Sequence, residues 1–202
     1  NDEGKNTGGM GAYAPAPIIS ASLLDEILKK IAQPTLTAMQ NEGRKFSGCL
    51  YIGLSITKQG PKVIEYNCRF GDPETQVVLP LLEGDFLELL STAAMGNINK
   101  RAVKYNGGTS VCVVAASGGY PGSYEKGFEI KGLKEAQKDE NIKIFHAGTK
   151  IQDDKILTNG GRVLGVTSFI NDNNIKAAKK KTYDALSKVK FTNMHFRKDI
   201  AD

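Results

Sequence analysis

The sequence predicts an α+β fold: first a helix, an antiparallel hairpin and a second helix, then a small β-rich portion closed by a final helix. Three observations carry that expectation. Apolar residues from Leu23 to Ile31 recur at the 3.6-residue period of a helix. Two β-prone runs, residues 49–56 and 62–70, flank the turn Lys58-Gln59-Gly60-Pro61, which is a hairpin signal. From Ser110 onward, short apolar runs separated by glycine turns take over, until a helical period returns at Asp172.

The elements follow in order. Residues 1–17 contain Gly4, Gly8, Gly9, Gly11, Pro15 and Pro17 and read as a loop. Ser22 is placed as the N-cap of a helix whose apolar stripe is Leu23, Leu24, Ile27, Leu28 and Ile31. Pro34 interrupts that stripe, which resumes at Leu36 and Met39 and runs to a C-cap at Gly43. One kinked helix and two short ones fit equally. Asp85 caps a helix bearing Phe86, Leu87, Leu89 and Leu90. The character changes at residues 105–108, and strands are expected at 111–116, 127–133, 143–147 and 162–169. Residues 172–190 read as the closing helix, a helical pattern carrying Ala177, Ala178, Leu186 and Val189. A domain boundary is expected near Asn106, separating 1–105 from 106–202.

Composition narrows the function classes. The 202 residues carry 27 basic and 22 acidic side chains, a net charge of +5. That excess suits an anionic small ligand and is too mild to indicate nucleic acid. Trp is absent and the basic residues do not alternate with aromatics, so no base-stacking platform is expected. Cys49, Cys68 and Cys112 are far apart and odd in number, which argues against a disulfide framework or metal knuckle and for a reducing, cytoplasmic compartment. No apolar run approaches the ~18 residues that span a bilayer, and the polar start does not resemble a signal peptide. The chain opens at Asn1 rather than Met, directly into a loop, so a piece of a longer protein is expected.

Residues 62–76, KVIEYNCRFGDPETQ, carry the most chemistry. In a strand, alternate residues share a face. Glu65, Asn67 and Arg69 would therefore point one way, and Ile64, Tyr66, Cys68 and Phe70 the other. A carboxylate and an amide oxygen one step apart are hard ligands suited to Mg²⁺. Arg69 would add a forked cation for phosphate or carboxylate oxygens. An edge strand with a polar outer face would show the same pattern.

A second candidate is the loop Asn6-Thr7-Gly8-Gly9-Met10-Gly11, whose glycines would let backbone N–H groups converge on an anion. It matches neither a Walker loop nor a dinucleotide fingerprint, and a plain flexible loop is the alternative. Gly71-Asp72-Pro73-Glu74 reads as a turn, in which Asp72 and Glu74 could orient Arg69 or receive an amine. His146 reads as a structural histidine and His195 as unremarkable. The lysines of residues 176–181 read as the solvated face of the closing helix.

Six stretches, taken together and in order, resemble the phosphoribosylamine–glycine ligase (glycinamide ribonucleotide synthetase) family of the ATP-grasp superfamily. They are NTGGMGAYAPAP (6–17), EYNCRFGDPETQ (65–76), ASGGYPGSYEKG (116–127), FHAGT (145–149), TNGGRVLGVTS (158–168) and FRKDIA (196–201). The resemblance implies the second half of an ATP-grasp domain, an antiparallel sheet with helices, followed by a small β-rich C-terminal domain. It implies a cytoplasmic enzyme that uses ATP with Mg²⁺ or Mn²⁺ to join glycine to 5-phosphoribosylamine in purine synthesis. By position it implies Glu65 and Asn67 as metal ligands and Arg69 as the catalytic arginine. The substrate side would be Asn6, Thr7, Gly8, Gly9, Met10 and Gly11 with Asp72, Pro73 and Glu74. The family's N-terminal domain, ATP lid and adenine-contacting segment have no counterpart here, so the missing half is expected as a partner and the 202 residues alone are expected to be inactive. Lys5 stands where the family has Pro.

Overall fold

The computed structural model describes residues 4–202. The first half runs β1 (Gly11–Ala14), α1 (Ala21–Ile27), a π-helical turn (Leu28–Ala32), α2 (Gln33–Asn41), β2 (Tyr51–Thr57), β3 (Gly60–Asn67), α3 (Glu74–Val78), a 3-10 turn (Leu79–Leu81), β4 (Leu82–Gly84), α4 (Phe86–Ala94) and β5 (Val103–Tyr105). The second half runs β6 (Thr109–Ala116), α5 (Leu133–Ala136), β7 (Ile142–His146), β8 (Thr149–Gln152), β9 (Lys155–Thr158), β10 (Arg162–Ile170) and α6 (Ile175–Leu186). This mixture of helices and antiparallel sheets is the α+β class expected. Among the described residues no helix is long and apolar enough to cross a membrane.

The chain divides into two compact units. One takes in the chain up to Ala14, Asp72–Leu82 and Tyr105–Asp202; the other takes in Pro15–Gly71 and Glu83–Lys104. The segment after β3 thus belongs with the C-terminal sheet, although it precedes that sheet by some thirty residues of chain.

The sheet unit is built on four antiparallel strands in the order β1-β6-β10-β7. Every residue of β6 is buried, as its unbroken apolar run requires when both faces are covered. Val111, Val113 and Ala115 share a core with Ala178, Ala185 and Leu186 of α6, while Val114 and Ala116 pack with Met10 and Tyr120. Two buried hydroxyls are satisfied inside this layer: Ser168 Oγ donates to Ala178 O at 2.7 Å, and Thr182 Oγ1 lies 2.8 Å from Ser168 Oγ and 3.0 Å from Val111 O. Asn174 caps α6, its Oδ1 accepting from Ala177 N at 3.0 Å.

In the second unit, the π turn falls directly before Pro34. Proline has no N–H to return to the preceding turn, and the wider turn absorbs that loss within one continuous helical stretch. Thr35 Oγ1 donates to the Ile31 carbonyl at 2.7 Å. The helix starts two residues earlier than expected: Ser20, not Ser22, is the cap, accepting from Leu23 N at 3.1 Å. It ends in a Schellman motif, with Gly43 N bonded to Gln40 O and Arg44 N to Met39 O, and Gly43 at φ +72. Asp85 caps α4 as expected, accepting from Glu88 N at 2.8 Å.

The structure departs from the sequence expectations at further places. Residues 11–14, read as loop, form β1, which pairs antiparallel with β6. Residues 127–133, read as a strand, make isolated bridges from Glu129 to Leu157 and from Lys131 to Lys190, because Gly127 and Gly132 adopt positive φ and interrupt the ladder. The hairpin β8–β9 was not foreseen. Asp153 and Asp154 supply its turn at φ 48 and 58, a left-handed pair usually filled by Asn-Gly.

Candidate active site

The predicted site residues fall in both units. In the hairpin unit, β2 and β3 pair from Thr57 opposite Gly60 to Tyr51 opposite Asn67. A bulge sets Gly53 opposite Glu65 but Leu54 opposite Val63, leaving Ile64 without a cross-strand partner. Glu65 and Asn67 follow the bulge at the open end of the hairpin. Their side chains meet, Asn67 Nδ2 donating to Glu65 Oε1 at 3.0 Å. Gly53 gives the Glu65 stem its room, since a Cβ there would lie 3.1 Å from Glu65 Cγ.

The strand stops at Asn67. Arg69 therefore lies beyond it, exposed, with Nη1 donating to the carbonyl of Phe70 at 2.9 Å. The alternation that grouped Arg69 with Glu65 and Asn67 holds for the first two alone. The face predicted to be apolar is not sheltered either: Ile64 is 69% and Tyr66 44% exposed. Among the described residues no group of three His, Cys, Asp or Glu side chains could hold a metal by itself. The Glu65–Asn67 pair supplies two hard oxygen donors. That suits a divalent ion whose remaining ligands are phosphate oxygens and water.

In the sheet unit, the loop Asn6–Gly11 and the turn at Asp72–Pro73 come together around a residue the sequence reading did not single out, Arg162. Its Nη1 donates to Gly9 O at 3.1 Å and to Asp72 O at 2.9 Å, and its Nη2 to Asp72 Oδ2 at 2.8 Å. Asp72 Oδ1 accepts from Gln76 Nε2 at 2.7 Å, which ties the turn to α3. The loop glycines are explained by close approach. A Cβ on Gly9 would lie 2.4 Å from Pro73 Cδ, one on Gly11 2.6 Å from Ile200 Cγ1, and one on Gly8 3.2 Å from Arg162 Cζ. None of these three adopts positive φ. Met10 and Pro73 are buried, Asn6 and Thr7 exposed, and Glu74 opens α3.

The loop also lines a cleft of about 330 Å³, to which Arg197 and Ile200 contribute as well. Arg197 is held in bidentate fashion by Asp199, with Nε to Oδ1 at 2.8 Å and Nη2 to Oδ2 at 2.5 Å, and this pairing holds the Asp199 carboxyl well below the usual carboxylate range. His146 is exposed, with Nδ1 3.1 Å from Thr149 Oγ1. In the lysine cluster, Lys181 pairs with Asp139 and Lys180 with Asp184, each at 2.5 Å, and Lys179 pairs with Asp202.

Comparison with known proteins first gives the class. Residues 1–75 match the model described as phosphoribosylglycinamide synthetase, ATP-grasp (A) domain. Residues 110–202 match phosphoribosylglycinamide synthetase, C domain. The N5-carboxyaminoimidazole ribonucleotide synthetase of Thermotoga maritima shares the fold, with a TM-score of 0.63 at 21% identity over 89% of this chain and 45% of that one. Closer relatives narrow the class. The phosphoribosylamine–glycine ligase of Caldanaerobacter subterraneus is 47% identical over 99% of this chain and 47% of its own length. The crystal structure of phosphoribosylamine–glycine ligase from Thermotoga maritima matches with a TM-score of 0.82 at 35% identity, over 98% of this chain and 48% of that one. The chain belongs to the phosphoribosylglycinamide synthetase family. It spans about half the length of the curated relatives it matches.

Proposed function

We propose that the protein takes part in ATP-dependent ligation of glycine to 5-phosphoribosylamine, a step of purine synthesis, giving glycinamide ribonucleotide, ADP and phosphate. The observation that carries this reading is the Glu65–Asn67 pair, two oxygen-bearing side chains in contact at the open end of a hairpin, in a family whose relatives bear the name phosphoribosylamine–glycine ligase. Residues 1–105 belong to the ATP-grasp portion and 106–202 to the C-terminal domain. Nucleotide enclosure is assigned to the part of the relatives' length outside the match. The setting is cytoplasmic, and neither nucleic acid nor membrane is a partner.

Glu65 and Asn67 would hold the divalent cation, Mg²⁺ or Mn²⁺, which when bound neutralises charge on the ATP phosphates. A glycine carboxylate oxygen attacks the γ-phosphorus and ADP leaves. The amine of phosphoribosylamine then attacks the acyl carbon of the glycyl phosphate, phosphate departs with its electron pair, and the amine loses a proton. Arg69 is the catalytic arginine, a forked cation for the oxygens on which negative charge gathers. Asn6, Thr7, Gly8, Gly9, Met10 and Gly11 with Asp72, Pro73 and Glu74 form the substrate side. The buried Met10 and Pro73 shape it, and the exposed Asn6 and Thr7 face the ligand.

Glu65→Gln tests the metal assignment, since it keeps the shape and removes the charge. Measured on the whole reading frame that carries these residues, turnover falls by about a hundredfold. Glu65 is exposed, so stability changes by no more than about 0.5 kcal/mol. Near-normal turnover across a titration with Mg²⁺ and Mn²⁺ would overturn the role of Glu65.

A further inference from the structure

We propose that Arg162 is the positioning residue of this site: it clamps the Asn6–Gly11 loop to the Asp72–Pro73 turn so that the two substrate-side segments present one surface. The proposal rests on the substrate-side reading of those segments. One guanidinium joins three oxygens from two pieces of chain, the carbonyls of Gly9 and Asp72 and the Asp72 carboxylate. A planar fork can meet all three at once, whereas an ammonium is a point charge without fixed directions.

The chain builds this contact from both sides. Arg162 opens β10, and a register shift between Arg162 and Leu164 interrupts the pairing with β6 at that place. Bulges re-aim the side chains beside them. The backbone on either side is tied down: Ser117 N donates to Gly161 O at 2.8 Å, and Gly148 N to Arg162 O at 2.9 Å. On the loop side, Gly8 lies flush with the guanidinium and Gly9 flush with Pro73, where a Cβ would crowd either contact. The arginine is thus fixed to a buried sheet, and what it holds is a loop with little secondary structure of its own.

The test uses the whole reading frame with Arg162→Lys, which keeps the charge and loses the fork. The KM for glycine or for phosphoribosylamine rises about tenfold while the KM for ATP stays within about twofold. The thermal midpoint falls by no more than about 4 °C. Hydrogen exchange supplies a readout independent of turnover: amides of residues 5–11 and of Gly71, Asp72 and Glu74 exchange faster, and those of β6 do not. Unchanged exchange in the loop, or a KM rise shared equally by ATP, would overturn the proposal. Asn6→Ala and Thr7→Ala report on the underlying reading. If both leave the glycine and phosphoribosylamine KM values unchanged, the substrate-side assignment fails, whereas the exchange data still decide whether Arg162 is the clamp.

Discussion

The close contact between Gly9 and Pro73 yields a prediction that can be worked from distances. In Gly9→Ala the new methyl would sit 2.4 Å from Pro73 Cδ and 3.2 Å from Asp72 O. Carbon atoms pack best at about 3.5–4.0 Å, so the loop and the turn must separate by roughly 1 Å. Pro73 cannot swing aside, because its ring is closed on the backbone and the residue is buried. Overpacking of this kind costs about 1–3 kcal/mol. A displacement of about 1 Å at a site that orients substrate costs up to about a hundredfold in rate. Gly8→Ala is the graded control. Its methyl would meet Arg162 Cζ at 3.2 Å, a side chain that can yield by a few tenths of an ångström, and its cost stays under about 1 kcal/mol. Steady-state kinetics with glycine as the varied substrate, paired with thermal melting, give both quantities. Gly9→Ala indistinguishable from the parent, or milder than Gly8→Ala, would refute the reasoning.

Other predictions concern titratable groups. Cys68 is exposed, Cys49 half-buried and Cys112 buried, so a thiol reagent labels Cys68 first and Cys112 after unfolding, as mass spectrometry of timed aliquots would show. Burial pushes the Cys112 thiol up from 9.0 to about 12. A folded value above the unfolded one stabilises the fold fully below pH 9 and loses that contribution as pH rises toward 12. Cys112→Ala should therefore flatten the alkaline limb of denaturant stability, and an unaltered limb would count against it. The hydrogen bond from Lys181 lowers the Asp139 carboxyl below 3.8. Its contribution is present above that pH and lost on acidification, so Asp139→Asn flattens the acid limb instead.

What the sequence made legible was local. The stripe Leu23–Leu24–Ile27, the Asp85 cap, the Gly43 stop and the hairpin turn each depend on neighbours within a few residues, and each appears in the structure. The cap expected at Ser22 lies at Ser20, two residues earlier in the chain. Non-local features were hidden. The four residues of β1 are a strand because β6, about a hundred residues later, offers a free edge; alone they are a Gly- and Pro-flanked loop. Arg162 stands 153 positions from Gly9 and 90 from Asp72, and in sequence it is one cation at the start of a strand. Its one sequence signal was the Gly-Gly that precedes it within a stretch already recognised for the family. The shared face of Glu65 and Asn67 was expected from two-residue periodicity, their contact was not, and the same periodicity carried Arg69 along past the point where the strand stops.

The most direct measurement of the central proposal is product formation by the whole reading frame, given ATP and Mg²⁺ with either glycine plus phosphoribosylamine or bicarbonate. The account predicts ADP, phosphate and glycinamide ribonucleotide in equal amounts with the first pair, and no ATP consumption above background with bicarbonate. ATP cleavage that depends on bicarbonate and ignores glycine would contradict it.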